Sequence, residues 1–579
     1  MEPVAAARAL PSEEQQLRRM TRNFFARFFE SDLLSAQTDF RATLSQALGL
    51  LASPGLFVPM LLLPLLMMDP EAARSWPIKL IFVFFSFLVM GVLSVLEWDA
   101  LMLDHRDQEI LMPLPVRPRT IFLAKFAALA LFLVIFSVDV SAGSIVLLPP
   151  LEMVGKRGAS GFLELIRYAA AHAAGTMGAS AFTFLFMVAV QGMLINVVGP
   201  KWFRRISTGI QVISILALLV ALFFFPAVLE QMPQWKRENH AMFRLFPPMW
   251  YVGVCEVLQG TADAAFREAA RTGLYALAAA GGCAMAAYAI AYGRYTRASL
   301  ESAVNAGRKT AGLRSTKTAA GSFPVRQFLR NPVERALFRF TLDTMLRSPK
   351  HRLIMAAYVG TALAIVLEEI VALSLAGGDA AAPARQMALL SLPLVISFFL
   401  LSGMRFVFNI PSELSANWMF QMTERRERPA YLSGVRKCML LVVVAPIAIC
   451  VLPVYTALFG AETAAAHAAY CTLLSVLMVE ALLWRFEKLP FACSYAPGRI
   501  PVVILLCIYG LAFMAYTDLM VHVEYNMLRS RIGTAVCLAV LAAVVWGAAA
   551  YRKRATAQSA TLVFYEEPEP VVRTLDLNA

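Results

Sequence analysis

Charge is what this sequence has least of. Asp, Glu, Lys and Arg make up 16% of 579 residues, against roughly a quarter in ordinary soluble domains. The length alone would allow two or more soluble domains, but so few charges argue against that many water-facing surfaces. Cysteine is sparse as well: 8 residues, with no C-x-x-C pair. Positions 255, 283, 438, 450, 471, 493, 507 and 537 fall mostly in apolar runs. They read as lipid- or core-facing filler, which argues against a disulfide or zinc framework.

Motifs of chemistry are missing too. No G-x-x-x-x-G-K-[ST] occurs, so the chain has no such loop to cradle a nucleotide. "VGKRG" (154–158) and "AGRKTAGLRSTKT" (306–318) lack its spacing and its terminal Ser/Thr. There is no H-E-x-x-H, no G-x-S-x-G and no His/Cys cluster in sequence. The expectation is therefore a chain that is not an enzyme and carries no cofactor. The start, "MEPVAAARALPSEEQQLRRM", has no apolar core of signal-peptide length. No basic patch with interleaved aromatics lies outside the membrane-flanking loops, so nucleic acid is not an expected partner.

What is present is apolar. Hydrophobic residues are 59% of the chain and the mean hydropathy is +0.63. A membrane helix needs about 20 mostly apolar residues. Runs of that kind occur at 47–68, 78–97, 121–148, 168–190, 207–228, 272–292, 353–375, 387–404, 438–459, 468–485, 500–519 and 532–551. The predicted fold class is an all-α polytopic integral membrane protein with about 12 transmembrane helices. Pro54, Pro59 and Pro64 weaken the first run, because each removes a backbone donor. The basic residues set the orientation. With both ends cytoplasmic, 39 of the 52 Lys and Arg flank inner segments and 13 flank outer ones.

The two halves look alike. Residues 12–36 read as an amphipathic surface helix, with Ser12 and Gln15 at capping-box spacing. Leu17, Met20, Phe24, Phe28 and Phe29 share its apolar face. Asn331-Pro332-Val333-Glu334 begins a second such helix. Farther on, "RPRTIFLAK" (117–125) and "RPAYLSGVR" (428–436) share Arg-Pro and a cation eight positions after the Arg. Each precedes the third span of its half. The expected organisation is a cytoplasmic N-terminus with an interfacial helix (1–46), a six-span half (47–293), a basic linker with the second amphipathic helix (294–352), a second six-span half (353–551) and a cytoplasmic tail (552–579).

The stretch "EWDALMLDHRDQEILMPLPVRPRTIFLAKF" (97–126) resembles the loop after the second span in ABC-2 type permeases of ABC exporters. "FPPMWYVGVCEVLQG" (246–260) is similar to their short re-entrant segment before the sixth span. The resemblance covers most of residues 80–300 and returns weakly over 330–450. It implies a permease of the cell inner membrane that exports an undefined substrate and is driven by a separate cytoplasmic ABC ATPase subunit. Fusion of two six-span units departs from the family's usual dimer of single units. The implied coupling loop contains Asp99, Asp104, Arg106, Glu109, Pro113, Pro115, Arg117 and Lys125, with Arg428 and Arg436 as counterparts. Pro113, Pro115 and Pro118 would make a stiff corner. Arg117 and Lys125 would anchor that corner at lipid headgroups. The plainer reading is an interfacial loop whose cations bind anionic membrane lipids.

Charged residues inside spans are functional candidates, because lipid makes them costly. Asp139 and Glu480 are the two chosen here; Glu368, Glu369, His172 and His467 fit ordinary helix contacts. Such acids also keep open a proton- or ion-coupled carrier of six plus six spans. No polar stripe implies a sugar or peptide path. Reporter fusions after residue 310 and at the C-terminus are both expected to read cytoplasmic, and an external signal at either refutes the topology.

Overall fold

An apolar run in lipid has no water for its amides, so it closes its own hydrogen bonds as helix. In the computed structural model the described residues are 91% helical and contain no strand. The structure describes residues 12–27, 55, 58–101, 116–153, 161–198, 200–305, 329, 331–375, 382–412, 422, 428–484, 486, 489–492 and 502–558. Among them, ten helices are long and apolar enough to cross a membrane. The chain is an all-α polytopic membrane protein.

Two compact units divide the chain. Unit 1 is Met1–Ser214 with Phe224–Ala311, and unit 2 is Ile215–Phe223 with Gly312–Ala579. The first helices are α1 (Glu13–Arg27), α2 (Val58–Met68), α3 (Pro70–Arg74), α4 (Trp76–Leu96), α5 (Trp98–Leu101) and α6 (Pro118–Met153). They are followed by α7 (Phe162–Val198), α8 (Pro200–Arg237), α9 (Ala241–Leu245), α10 (Pro247–Gln259) and α11 (Ala264–Asn305). The second series begins with α12 (Pro332–Arg347), α13 (Pro349–Leu375), α14 (Pro383–Val407) and α15 (Arg428–Met439). A π-helical turn, Leu440–Val444, joins α15 to α16 (Ala445–Phe459), and α17 is Ala461–Leu482. A second π turn, Ala515–Leu519, joins α18 (Val502–Met514) to α19 (Met520–Met527), and α20 is Arg531–Gln558.

Two of the twelve expected runs are not among those ten helices. The run 47–68 is helical over Val58–Met68, and most of its earlier part lies outside the described residues. The run 500–519 is helical from Val502 and continues without a break through the π turn Ala515–Leu519 to Met527. The opposite occurs at α11, which continues to Asn305 and so carries helix into the expected linker.

In unit 1, α7 packs against α4, α6, α10 and α11. Small residues let these backbones approach. A Cβ on Gly178 would lie 2.9 Å from the Tyr251 ring. At 13 residues α10 is too short to cross a bilayer. Gly260, at φ 78°, ends it in the left-handed conformation that glycine tolerates. The chain then turns back into α11.

Both amphipathic helices form. Ser12 and Gln15 exchange the two capping-box bonds, each 3.3 Å. The Asn331 side chain accepts from the Val333 amide at 2.8 Å. The apolar face of α1 is expected on the membrane surface, but α6 takes it up instead. Phe24 and Phe25 are buried in one core with Ile121, Ala124 and Ala128. Phe28 and Phe29 lie outside the described residues. In unit 2, α12 packs on α15 in the same way, and Gly434 sits against the Glu334 carbonyl and Leu337.

The close approach of α10 to α11 is testable. A Cβ on Gly253 would lie 2.6 Å from the Phe266 carbonyl oxygen and 2.8 Å from the Ala270 nitrogen. Both atoms are backbone, so Gly253→Ala must part the helices and is expected to lower stability by about 1–3 kcal/mol. Gly282→Ala meets nothing within 4 Å and, inside a helix, should not lower stability. Thermal unfolding of the two variants in detergent compares them directly.

Candidate functional site

The expected coupling loop can be followed at its two roots. Asp104, Arg106, Glu109, Pro113 and Pro115 lie outside the described residues. Asp99 sits in α5, at the first root. Trp98, fully buried, donates its indole N–H to Ser207 Oγ at 2.8 Å. Its carbonyl accepts from Gln191 Nε2 at 2.7 Å, and the Leu101 carbonyl accepts from the Tyr288 hydroxyl at 3.4 Å. Side chains from α7, α8 and α11 thus grip the segment from which the loop departs. The reason is the backbone: a helix this short leaves carbonyls unsatisfied, and burial requires partners for them.

At the second root, Arg117 is exposed and pairs with Glu13 of α1 at 2.6 Å. Lys125 corrects its expected role. Its side chain is 2% exposed, and its ammonium stands 5.2 Å from the centre of the Phe24 ring. The cation therefore helps to hold α1 on α6 and does not reach headgroups, because about two turns of helix carry it under the docked surface helix.

Unit 2 repeats the device with different chemistry. Arg428 opens α15. Arg436, eight positions on, turns inward to Glu480 at 2.5 Å, and Arg552 of α20 takes the other carboxylate oxygen at 2.5 Å. Glu480 is 1% exposed. It is expected deep in its span. The helix starts earlier than the run suggests and ends at Leu482, so Glu480 falls in its last turn. It is a clamp joining the ends of α15, α17 and α20. Lys437 pairs with Glu334 of α12 at 2.5 Å, which fixes the surface helix.

The end of α14, before the second loop, is tied as well. His351 Nε2 lies 3.0 Å from the Ile410 carbonyl, and the Phe491 amide donates to the Phe408 carbonyl at 3.0 Å. Phe491 has φ 62°, a strained value for a bulky residue. Its ring is buried among Phe340, His351 and Phe408, which holds that conformation. Residues 413–421 and 423–427, which hold most of the counterpart loop, lie outside the described residues.

Asp139 lies mid-way along α6, as expected. Its Oδ2 is buried with no hydrogen-bond partner among the described residues, and the hydroxyls of Ser137 and Ser141 are in the same position. Ser137 and Ser141, one turn apart, share a face of α6, and Asp139, two residues from each, points to another.

A larger cluster was not among the sequence candidates. Lys79 is 2% exposed and lies one turn into α4. Its ammonium lies 2.7 Å from Glu256 and 3.9 Å from Glu152, and donates to Gln259 Oε1. Gln259 in turn donates to Glu152 Oε2 at 3.0 Å, and Thr261 donates to Glu256 Oε2 at 2.5 Å. One ammonium faces two carboxylates, and the set ties α4, α6 and α10 together. In sequence Lys79 lies at the edge of a run and Glu256 inside a short apolar segment. Nothing local signals that they meet.

These clusters predict stability effects. Glu480→Gln leaves two guanidinium groups without their shared carboxylate, and Lys79→Met leaves two buried carboxylates without their cation. Each is expected to cost about 3–5 kcal/mol. Thermal unfolding and folded yield in detergent measure the loss; unchanged melting for either variant refutes the clamp. Compared with protein-family models, curated proteins and solved structures, the chain matches none.

Proposed function

We propose that this chain is the membrane-spanning permease subunit of an ATP-driven exporter, coupled to a separate cytoplasmic ATPase chain. The observation that carries the reading is the build of the corner between α5 and α6. Buried side chains from three helices grip the departing segment, and α1 is docked on the returning helix. Force applied to a loop held in this way is delivered to the bundle instead of being absorbed. The second unit has a surface helix docked on α15 in the equivalent place. The absent P-loop puts nucleotide hydrolysis on another chain. In this reading the membrane is a bacterial inner membrane and both termini are cytoplasmic, so that the basic corners face the ATPase.

A second reading, a proton- or ion-coupled carrier, draws on the buried Lys79 and Asp139 sites. Transport assays separate the two. In vesicles, export should require ATP and the partner ATPase; movement that follows a proton gradient and ignores both supports the carrier. Asp104→Lys with Glu109→Lys should leave membrane insertion intact and weaken ATPase binding, since like charges at an interface cost several kcal/mol. Pro113→Ala with Pro115→Ala should keep binding but uncouple hydrolysis from transport. Normal binding and transport by the double Lys variant excludes this loop as the coupling site.

A further inference from the structure

Unit 2 holds another buried cluster, which the coupling reading does not use. His467 and Cys471 are one turn apart on α17 and share a face. Glu524 reaches them from α19, and both it and His467 are fully buried. His467 Nδ1 lies 2.6 Å from Glu524 Oε1. Cys471 Sγ lies 3.7 Å from each imidazole nitrogen. The three ligand atoms fall within 4.8 Å of one another. Glu524 Oε2 is buried with no partner among the described residues. The π turn Ala515–Leu519 stands directly before α19. One inserted residue rotates all that follows by about 100°, and this rotation decides which helix Glu524 faces.

We propose that His467, Cys471 and Glu524 bind one zinc-class divalent ion within unit 2. Imidazole and thiolate select borderline-soft ions over magnesium or calcium. Ligands at about 2.1 and 2.3 Å on a tetrahedral ion stand roughly 3.6 Å apart, close to the observed 3.7 Å between sulfur and nitrogen. The His467–Glu524 pair need open by less than about 1 Å to reach the same spacing. The second Glu524 oxygen or a water completes the shell. Charge balance favours the ion: a dication with one thiolate, one carboxylate and a neutral imidazole is neutral overall, which a buried site requires. On binding, the thiol proton and the proton between His467 and Glu524 leave to solvent. The Tyr455 ring, 4.3 Å from that of His467, holds the imidazole in place. A hollow of about 250 Å³ lies near the cluster, and none of the three ligands lines it. Its lining includes Thr463, one turn before His467, and Tyr525, beside Glu524.

The test uses the full chain in detergent, stripped with chelator and dialysed against zinc or cobalt. About one zinc per chain is expected by elemental analysis, and cobalt should give a near-ultraviolet thiolate charge-transfer band. Cys471→Ser should abolish that band and lower zinc affinity at least about tenfold. Cys283→Ser, at an exposed cysteine of unit 1, should change neither. Failure of the wild type to retain zinc overturns the proposal, as does bound cobalt without a thiolate band. Neither reading depends on the folding of the Cys471 variant.

Discussion

A charge buried in a membrane protein must be neutralised by the protein itself, because the surrounding lipid offers neither water nor counterions. Much of this fold can be understood from that constraint. Lys79 gathers Glu152, Glu256 and Gln259, and so joins the ends of α4 and α6 to the short helix α10. Glu480 gathers Arg436 and Arg552, and so joins α15, α17 and α20. The apolar faces supply area, but nearly any rotation of a greasy helix buries similar area against a greasy neighbour. The ionic clusters single out one rotation and one depth for each helix they touch.

The same economy explains the corners. In each unit an amphipathic helix packs on the helix that opens with the Arg-Pro motif. In one it is held by Lys125 over Phe24, in the other by Lys437 on Glu334. A cation–π contact in one unit and an ion pair in the other do equivalent work. The shared Arg-Pro and following cation in "RPRTIFLAK" and "RPAYLSGVR" thus mark a shared architecture. The partner of that cation differs: Phe24 for Lys125, Glu480 for Arg436.

The π turns bear on position as well. Each adds a residue to a helix and changes which way everything beyond it faces. Leu440–Val444 separates Arg436, at one end of its span, from Tyr455 at the other. Ala515–Leu519 separates the Tyr509 end of its helix, which meets Ser402, from Glu524, which meets His467. One span can in this way serve two neighbours that a regular helix could not face at once.

Helical class, apolar runs and the two surface helices were legible in the sequence, because each depends on residues near one another in the chain. Low charge and long apolar runs dictate helices, and Ser12 with Gln15, or Asn331 with Pro332, start them by local hydrogen bonds. Cys471 is buried in the core, as expected, but Glu480, expected deep in its span, stands in the last turn of its helix. Helix ends and rotations are decided by neighbours, and a run of apolar letters does not register them. The spacing of His467 and Cys471 could have suggested half of a site. Glu524 lies 57 residues from His467, and Glu256 lies 177 from Lys79. Pairings across such distances are fixed by helix packing, by the close contacts that glycine allows and by the register shift of a π turn, so the tertiary structure alone determined them.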